Sequence, residues 1–198
     1  YTAVNRKKLL RVSILARRRH DLFGWRDVAF FDLAEACVQH IHPGQWRRVT
    51  DRDTTEKGYL NTFNHITAQA LMTTLFSEEI AAFIADVHER YNMPELLTGK
   101  FSAAQLKNPD NNPIDNYVDI INNEWGQKLG EELKSKYGIN RQTIWTNELL
   151  VNYLNDIQSY YSWAFQVDFI PFKTTDSVVV KFVHKMNLVQ QTTFSIEE

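Results

Sequence analysis

NPIDNYVDIINNEWGQKLG, residues 112–130, is the stretch of sequence that decides how this chain is expected to fold. Its apolar residues recur three or four positions apart, which is the spacing of one face of an α-helix. They are Ile114, Val118, Ile121, Trp125 and Leu129. A long helix over 113–138 is therefore predicted, with this apolar stripe towards the core. Pro113 suits its first turn and Gly138 its end.

A polar stripe runs along the same predicted helix, about a quarter-turn from the apolar one. It consists of Asp115, Asp119, Asn122 and Gly126, which are residues that helices disfavour. A polar stripe beside an apolar one lies at the edge of the core, where a site can form. Gly126 and Gly130 let another backbone or a ligand come close. The alternative is a solvated edge combined with a close helix crossing.

Helical spacing of apolar residues predicts five further helices. They cover about 5–20, 27–41, 58–76, 78–91 and 146–163. Ser77 and Thr146 are the expected N-caps of two of them. Residues 91–112 are expected to form a loop with at most one helical turn, and a loop of that length is usually functional or covers something.

From residue 164 the apolar spacing changes to two, which is typical of strands. AFQVDFIPF (164–172) alternates in this way and SVVVKFVHK (177–185) follows a turn, so a hairpin is predicted, with a third strand at 188–196. The predicted fold class is mainly α (α+β): an orthogonal bundle of about six helices with a C-terminal β-hairpin or small antiparallel sheet. One domain over 1–198 would hold a basic N-terminal helix (1–26), a helical core (27–163) and a β tail (164–198).

Composition excludes several classes of protein. The 198 residues include one cysteine, Cys37, so an internal disulfide and a cysteine-rich zinc module are excluded. No apolar run approaches the roughly 20 residues of a membrane-spanning helix. The chain begins at Tyr1 rather than Met, which suggests a processed product or part of a longer protein and leaves a secreted or periplasmic location open.

Positive charge is concentrated at the N-terminus, although the net charge is −2. Residues 1–26 hold eight of the 22 basic residues against one acid, Asp21. Leu10, Ile14 and Leu15 recur at helical spacing, so we expect this basic helix to pack on the acidic remainder of the chain. Contact with nucleic acid or an anionic membrane surface is the minor alternative.

His65 is the centre of a candidate site on the predicted helix 58–76. Asn61 and Met72 share its helical face, and Asn61 and Asn64 add hydrogen-bonding groups beside the ring. The competing interpretation is a core histidine whose ring nitrogens are hydrogen-bonded within the protein and have no functional role. On the next helix, Asp86 stands four residues before an arginine, which is also the spacing of an ordinary surface ion pair.

Three motifs follow one another on three predicted helices: NxxNH at 61–65, DxHE at 86–89 and DxxNNxxG at 119–126. Together they resemble a family of helical domains in uncharacterised bacterial proteins, some of them found near toxin or secreted-effector genes. The resemblance implies a polar centre made of His65, Asp86, His88, Glu89, Asp119, Asn122 and Asn123. Asn64 departs from the family, in which an arginine often precedes the histidine, and this change weakens the case for an anionic substrate.

The polar side chains suggest a division of labour. The catalytic candidates are His65, Asp86 and Asp119, and the binding candidates are Asn61, Asn64, His88, Glu89, Asn122 and Asn123. Such groups suit a divalent cation that activates water. They equally suit metal-free chemistry with His65 as the base and Asp119 orienting it. No HExxH, GxSxG, phosphate-loop or GxGxxG motif narrows the choice, and Cys37 is expected to be a core residue.

Two functions remain open from the sequence. The first is a small hydrolase-like domain, in the setting of a secreted effector, acting on a small-molecule or polymer substrate through the His65 centre. The second is a non-catalytic helical module in which the polar centre is a structural hydrogen-bond network, with the C-terminal strands meeting a protein partner. A polar centre open to solvent favours the first function, and a sealed centre with every polar atom hydrogen-bonded favours the second.

Overall fold

The secondary structure in the described part of the chain is helical, apart from one isolated β-bridge. The computed structural model describes residues 1–45, 58–108 and 113–191. Its helices are α1 (Thr2–Ala16), α2 (His20–Phe23), α3 (Phe30–Gln39), α4 (Tyr59–Leu75), α5 (Glu78–Asn92), α6 (Ala103–Lys107), α7 (Pro113–Lys136), α8 (Asn147–Phe165) and α9 (Ser177–Gln191). Short 3-10 turns span Pro43–Gln45 and Pro94–Leu97. Within these ranges, no helix has both the length and the apolar character needed to cross a membrane.

The helix ends follow the capping signals in the sequence. Ser77 Oγ accepts a hydrogen bond from the Ile80 amide at 3.3 Å, and Thr146 Oγ1 accepts one from the Leu149 amide at 3.1 Å. Gly138 lies just beyond α7 with φ +60°, in the left-handed region that favours glycine. These three predictions are confirmed.

The core is built around α4, which packs against α3, α5 and α7. Phe63, Ile66, Ala70 and Leu71 of this helix are fully buried. The ring of Phe63 stacks on Tyr161 of α8 with a centroid separation of 4.0 Å. Because α4 has neighbours on several sides, its polar side chains lie between helices rather than in bulk water.

The predicted strand at 177–185 is wrong, because this segment forms the first part of α9. Three consecutive valines at 178–180 favour a strand through their branched side chains. The buried apolar side chains of α9, however, share one helical face. They are Val179, Phe182, Val183, Met186 and Val189. Burial of this helical stripe overrides the local preference of the valines.

The rest of the predicted β tail is also corrected. Residues 164 and 165 end α8, and the following extended segment makes one antiparallel bridge, between Ile41 and Phe169. Two backbone hydrogen bonds of 2.7 and 2.8 Å flank the bridge. No hairpin or sheet occurs among the described residues. Residues 188–191 of the predicted third strand belong to α9, and residues 192–196 lie outside the described part of the chain.

The apolar stripe of α7 faces the core only in its second half. Leu129 is buried, whereas Ile114 is 70% exposed and Val118 and Trp125 are also exposed. Apart from Pro113, the side chains that α7 buries nearer its N-terminus are polar. They are Asn116, Asn122, Asn123 and Gln127. The predicted orientation of the first half of α7 is therefore wrong.

Two glycines explain this orientation of α7. A Cβ atom on Gly126 would lie 2.6 Å from the carbonyl oxygen of Ile66, and one on Gly130 would lie 2.5 Å from that of Ala70. Such approaches are sterically forbidden to any other residue, so the glycine face must be the one that meets α4. The polar residues next to the glycines are buried with them. A close helix crossing, given above as the alternative interpretation of these glycines, is therefore what they form.

The basic N-terminal helix packs on the body of the protein, as expected. Ile14 and Leu15 are buried, and α1 contacts both α3 and α9. Arg11 Nη2 donates a hydrogen bond to the Gln190 carbonyl at 3.3 Å.

A buried lysine joins α9 to the segment that follows α1. Lys185 Nζ donates to Asp27 Oδ2 at 2.7 Å and to the carbonyl oxygens of Arg17 and Val28, both at 2.8 Å. The side chains of Lys185 and Asp27 are 1% and 2% exposed. Burial lowers the pKa of Lys185, while its hydrogen bond to Asp27 acts in the opposite direction. We refer to these contacts as the Lys185 tie.

Candidate functional site

A row of hydrogen-bonded side chains crosses from α4 through α7 to α5. Asn61 Nδ2 donates to Asp119 Oδ1 at 2.9 Å, and the same oxygen lies 3.4 Å from His65 Nε2. His65 Nδ1 lies 2.9 Å from Asn123 Oδ1. Asn123 Nδ2 donates to Glu89 Oε1 at 3.2 Å. We call these five residues the polar row.

Helix geometry explains why the polar row forms. Asn61 and His65 are four residues apart on α4, and Asp119 and Asn123 are four residues apart on α7, so each pair occupies one face of its helix. The close crossing of α4 and α7 sets these two faces against each other. Glu89 closes the row from α5.

The hydrogen bonds of the polar row indicate which ring nitrogen of His65 carries the hydrogen. An ionised Glu89 can only accept hydrogen bonds, so the amide nitrogen of Asn123 must face it and the amide oxygen must face His65. His65 Nδ1 therefore carries a hydrogen and donates it to Asn123. The second ring nitrogen, Nε2, faces the Asp119 carboxylate at 3.4 Å.

One side of the row borders a cleft of about 250 Å³ between α1, α3, α4 and α5. Most of its wall is apolar and comes from Val12, Phe30, Phe31, Met72 and Ile84. Asn64, His65, His88 and Asn123 supply polar groups to the same wall. The His65 side chain is 13% exposed, so the ring is partly accessible. We call this space the His65 cleft.

The other side of the row borders a cleft of about 350 Å³ between α5, the Pro94–Leu97 turn and α7. Leu96 and Leu97, from the loop predicted at 91–112, form part of its wall, and Glu89 and Asn123 also line it. Asn123 thus borders both clefts. We call this second space the Glu89 cleft.

Glu89 has an unusual electrostatic environment. It is 4% exposed, and burial is the main reason that its pKa is raised above the ordinary value. The nearby Asp119 carboxylate raises it further, whereas His65, His88 and the hydrogen bond from Asn123 lower it. Glu89 therefore holds its proton to a higher pH than a solvated glutamate does.

Two of the sequence-predicted residues on α5 lie outside the polar row. Asp86 pairs with Arg90 at 2.7 Å on the exposed face of α5, at the edge of the Glu89 cleft. His88 Nε2 lies 3.2 Å from Asn92 Nδ2, also on an exposed surface, beside the His65 cleft. Neither residue is joined to His65 by a hydrogen bond among the described residues.

Two predicted asparagines differ from Asn123. Asn64 lines the His65 cleft without joining the row. Asn122 is 5% exposed, and within the described ranges its Nδ2 has no hydrogen-bond partner. The polar stripe predicted for this helix included Asn122 and not Asn123. The glycine crossing turns α7 so that Asn123 meets His65 instead.

Sequence reasoning missed a continuation of the polar contacts along the same two helices. Gln127 Nε2 donates to Gln69 Oε1 at 3.1 Å, and both residues are buried. Gln69 follows His65 by four residues and Gln127 follows Asn123 by four. The same spacing that relates His65 to Asn61 could therefore have identified this pair.

Cys37 is fully buried, and burial raises its thiol pKa. This confirms the prediction of a core cysteine. The ring of His40, nearby in sequence, packs 4.3 Å from that of Phe172, and burial lowers the His40 pKa. Among residues 1–45, 58–108 and 113–191, no three His, Cys, Asp or Glu side chains are grouped in a way that could hold a metal ion.

Comparison with protein-family models, with curated proteins and with solved structures gives no match to this chain. The resemblance to bacterial helical domains stays a prediction that rests on the three motifs. The site must therefore be interpreted from its own geometry.

Proposed function

We propose that this protein is a hydrolase-like domain in which His65 acts as a general base. The observation that carries the proposal is the position of His65, which lines an apolar cleft and whose Nε2 lies 3.4 Å from Asp119 Oδ1. The ring is fixed at Nδ1 by Asn123 at 2.9 Å. A histidine oriented in this way can accept a proton and then be stabilised as the imidazolium by a carboxylate.

Each member of the polar row has a distinct part in this proposal. His65 Nε2 takes a proton from a water molecule in the His65 cleft as the water oxygen attacks the substrate carbonyl carbon, and Asp119 stabilises the resulting imidazolium. The imidazolium returns the proton to the leaving oxygen as the C–O bond breaks. Asn61 holds Asp119 through the 2.9 Å hydrogen bond. Asn123 and Glu89 orient the imidazole from the opposite side. The apolar wall of the cleft favours a substrate whose scissile bond is attached to an apolar group.

Hydrolysis of p-nitrophenyl acetate, butyrate and hexanoate would test this proposal. Replacing His65 by alanine is expected to lower kcat/KM by about 10²- to 10⁴-fold, which is the usual contribution of a general base. Asp119→Asn should also lower it, because an amide cannot stabilise the imidazolium as a carboxylate does. Asp21→Asn, the same change in an exposed ion pair with Arg19, serves as the control.

A divalent cation, which the sequence also suggested, can be tested in the same preparation. Elemental analysis would be combined with melting scans in chelator and in added zinc, calcium, magnesium or manganese. A melting shift that Asp119→Asn abolishes would assign the carboxylate to a metal. Hydrolysis that is unchanged by chelator would support the acid–base proposal.

The structural-network function is the second candidate, and the close α4–α7 crossing favours it. The row continues into the buried Gln69–Gln127 hydrogen bond at 3.1 Å, which joins α4 to α7 further along the same crossing. If the row only fixes helix packing, His65→Ala should lower the free energy of unfolding by about 1–3 kcal/mol. Wild-type protein would then hydrolyse none of the three esters. Turnover that depends on His65 would reject this second candidate.

A further inference from the structure

The Glu89 cleft combines apolar walls with one deeply buried acid. Its apolar surface comes from Ala82, Ala85, Leu96, Leu97 and Ile120. Glu89 lies on the same wall and is 4% exposed. At about 350 Å³, the space is larger than the cavity of roughly 150 Å³ that can hold benzene.

Glu89 can accept further hydrogen bonds from a group in the cleft. A carboxylate offers two oxygens and about four acceptor positions. Among the described residues, Glu89 accepts one side-chain hydrogen bond, from Asn123 at 3.2 Å, and no Lys, Arg or His nitrogen pairs with it within 4.0 Å. A buried acid is costly unless it is paired, so a positively charged donor in the cleft would supply the missing partner.

The other charges of the cleft also favour a cation. Asp86 and Arg90 form an ion pair at 2.7 Å and neutralise each other. Glu89 and Glu124 are the remaining charged residues of the lining, so the cleft is negative when both are ionised. An anionic ligand would meet repulsion there, and a neutral one would leave Glu89 without a partner.

We propose that the Glu89 cleft binds a small organic cation, with an ammonium or guanidinium group on Glu89 and an apolar body against Leu96, Leu97 and Ile120. This site is a separate space from the His65 cleft, with which it shares Ala85 and Asn123 in its lining. The inference goes beyond the proposed hydrolysis and does not depend on a proton transfer at His65.

Calorimetric titration of the full protein with benzylammonium at pH 7 tests the site. Benzyl alcohol and phenylacetate have a similar shape but carry no charge and a negative charge, respectively. We expect saturable binding of benzylammonium and at least about tenfold weaker binding of the other two, as for loss of a charged hydrogen bond. Equal binding of benzyl alcohol, or no saturable binding of benzylammonium at millimolar concentration, would overturn the proposal.

Variants locate the binding on the structure. Glu89→Gln keeps the shape of the side chain and should weaken benzylammonium binding at least about tenfold. Glu79→Gln, the same change at an exposed position of α5, should leave it unchanged. Asn61→Ala removes the hydrogen bond to Asp119 and lies outside the lining of the Glu89 cleft, so it should retain binding even though the proposed hydrolysis is weakened, which separates the two proposals. Unaltered affinity in Glu89→Gln would contradict the assignment, whatever the behaviour of the wild-type protein.

Discussion

Gly126 and Gly130 set how closely α7 can lie on α4. A Cβ atom on Gly126 or Gly130 would lie only 2.6 or 2.5 Å, respectively, from a carbonyl oxygen of α4. This approach brings Asp119 and Asn123 within reach of His65. The lack of a side chain at these two positions therefore places Asp119 and Asn123 beside His65.

Gly130→Ala should destabilise the protein by about 1–3 kcal/mol, the usual effect of overpacking. The direction of the change in stability is informative, because a glycine-to-alanine substitution inside an exposed helix stabilises a protein by about 1 kcal/mol. Urea unfolding would measure the change, with Lys128→Ala at an exposed position of the same helix as control. A more stable Gly130→Ala variant would mean that the helices do not cross as closely as described.

The burial of Glu89 predicts how the stability of the protein depends on pH. Its folded pKa is raised, so its contribution to stability is present below the ordinary pKa of about 4.5 and is lost as pH rises through the folded value. Glutamine cannot ionise and escapes this loss. Glu89→Gln should therefore be more stable than wild type at pH 7, with a smaller difference at pH 4.

Chemical unfolding at the two pH values would test this expectation. Glu79→Gln provides a matched control, since Glu79 is exposed on the same helix. A stability difference that is the same at pH 4 and pH 7 would show that burial does not hold the proton on Glu89.

At the scale of elements, α9 shows where sequence reasoning succeeds and where it fails. Caps at Ser77 and Thr146 were predictable because their hydrogen bonds are local. The identity of α9 was not, because a run of valines and a helical stripe make opposite predictions over the same residues. Burial of Phe182 and Met186 against other helices decides between them, and that information is not local.

The same argument applies to the candidate site. The i, i+4 spacing indicated His65, Asn61 and Asp119, and the structure brings these three residues together. The partnership of Asn123 with His65 depends on the rotation of α7, which the glycine crossing imposes. Sequence spacing describes one helix at a time and cannot give the rotation of one helix against another.

Alanine substitutions at Val180 and Phe182 would distinguish a helix from a strand. On a strand, residues 180 and 182 share a face and should respond alike. On α9, Phe182 is fully buried and Val180 is 43% exposed. We expect Phe182→Ala to lower the free energy of unfolding by about 3–5 kcal/mol and Val180→Ala to change it by less than about 0.5 kcal/mol. Similar losses at both positions would contradict the helix.

At the scale of the whole molecule, the Lys185 tie joins regions that are far apart in the sequence. Lys185 on α9 binds Asp27 and two carbonyl oxygens of the segment after α1. Its ammonium group replaces most of its lost hydration with protein oxygens, which is the condition for a buried charge to be tolerated.

Lys185→Met should lower the free energy of unfolding by about 3–5 kcal/mol, because it leaves the Asp27 charge buried without its partner. Lys185→Met combined with Asp27→Asn should recover part of the loss. Thermal and urea unfolding would measure both, with Lys173→Met at an exposed position as control. Equal stability of the single variant and the wild type would show that the ion pair contributes little.

The Lys185 tie also has a consequence for synthesis on the ribosome. Asp27 and Lys185 are 158 residues apart, so the aspartate emerges long before the ammonium group that binds it. At about 5–20 residues per second, the interval is roughly 8–30 s. During that time the segment after α1 has no anchor on α9, and its final docking must follow the translation of the last described helix.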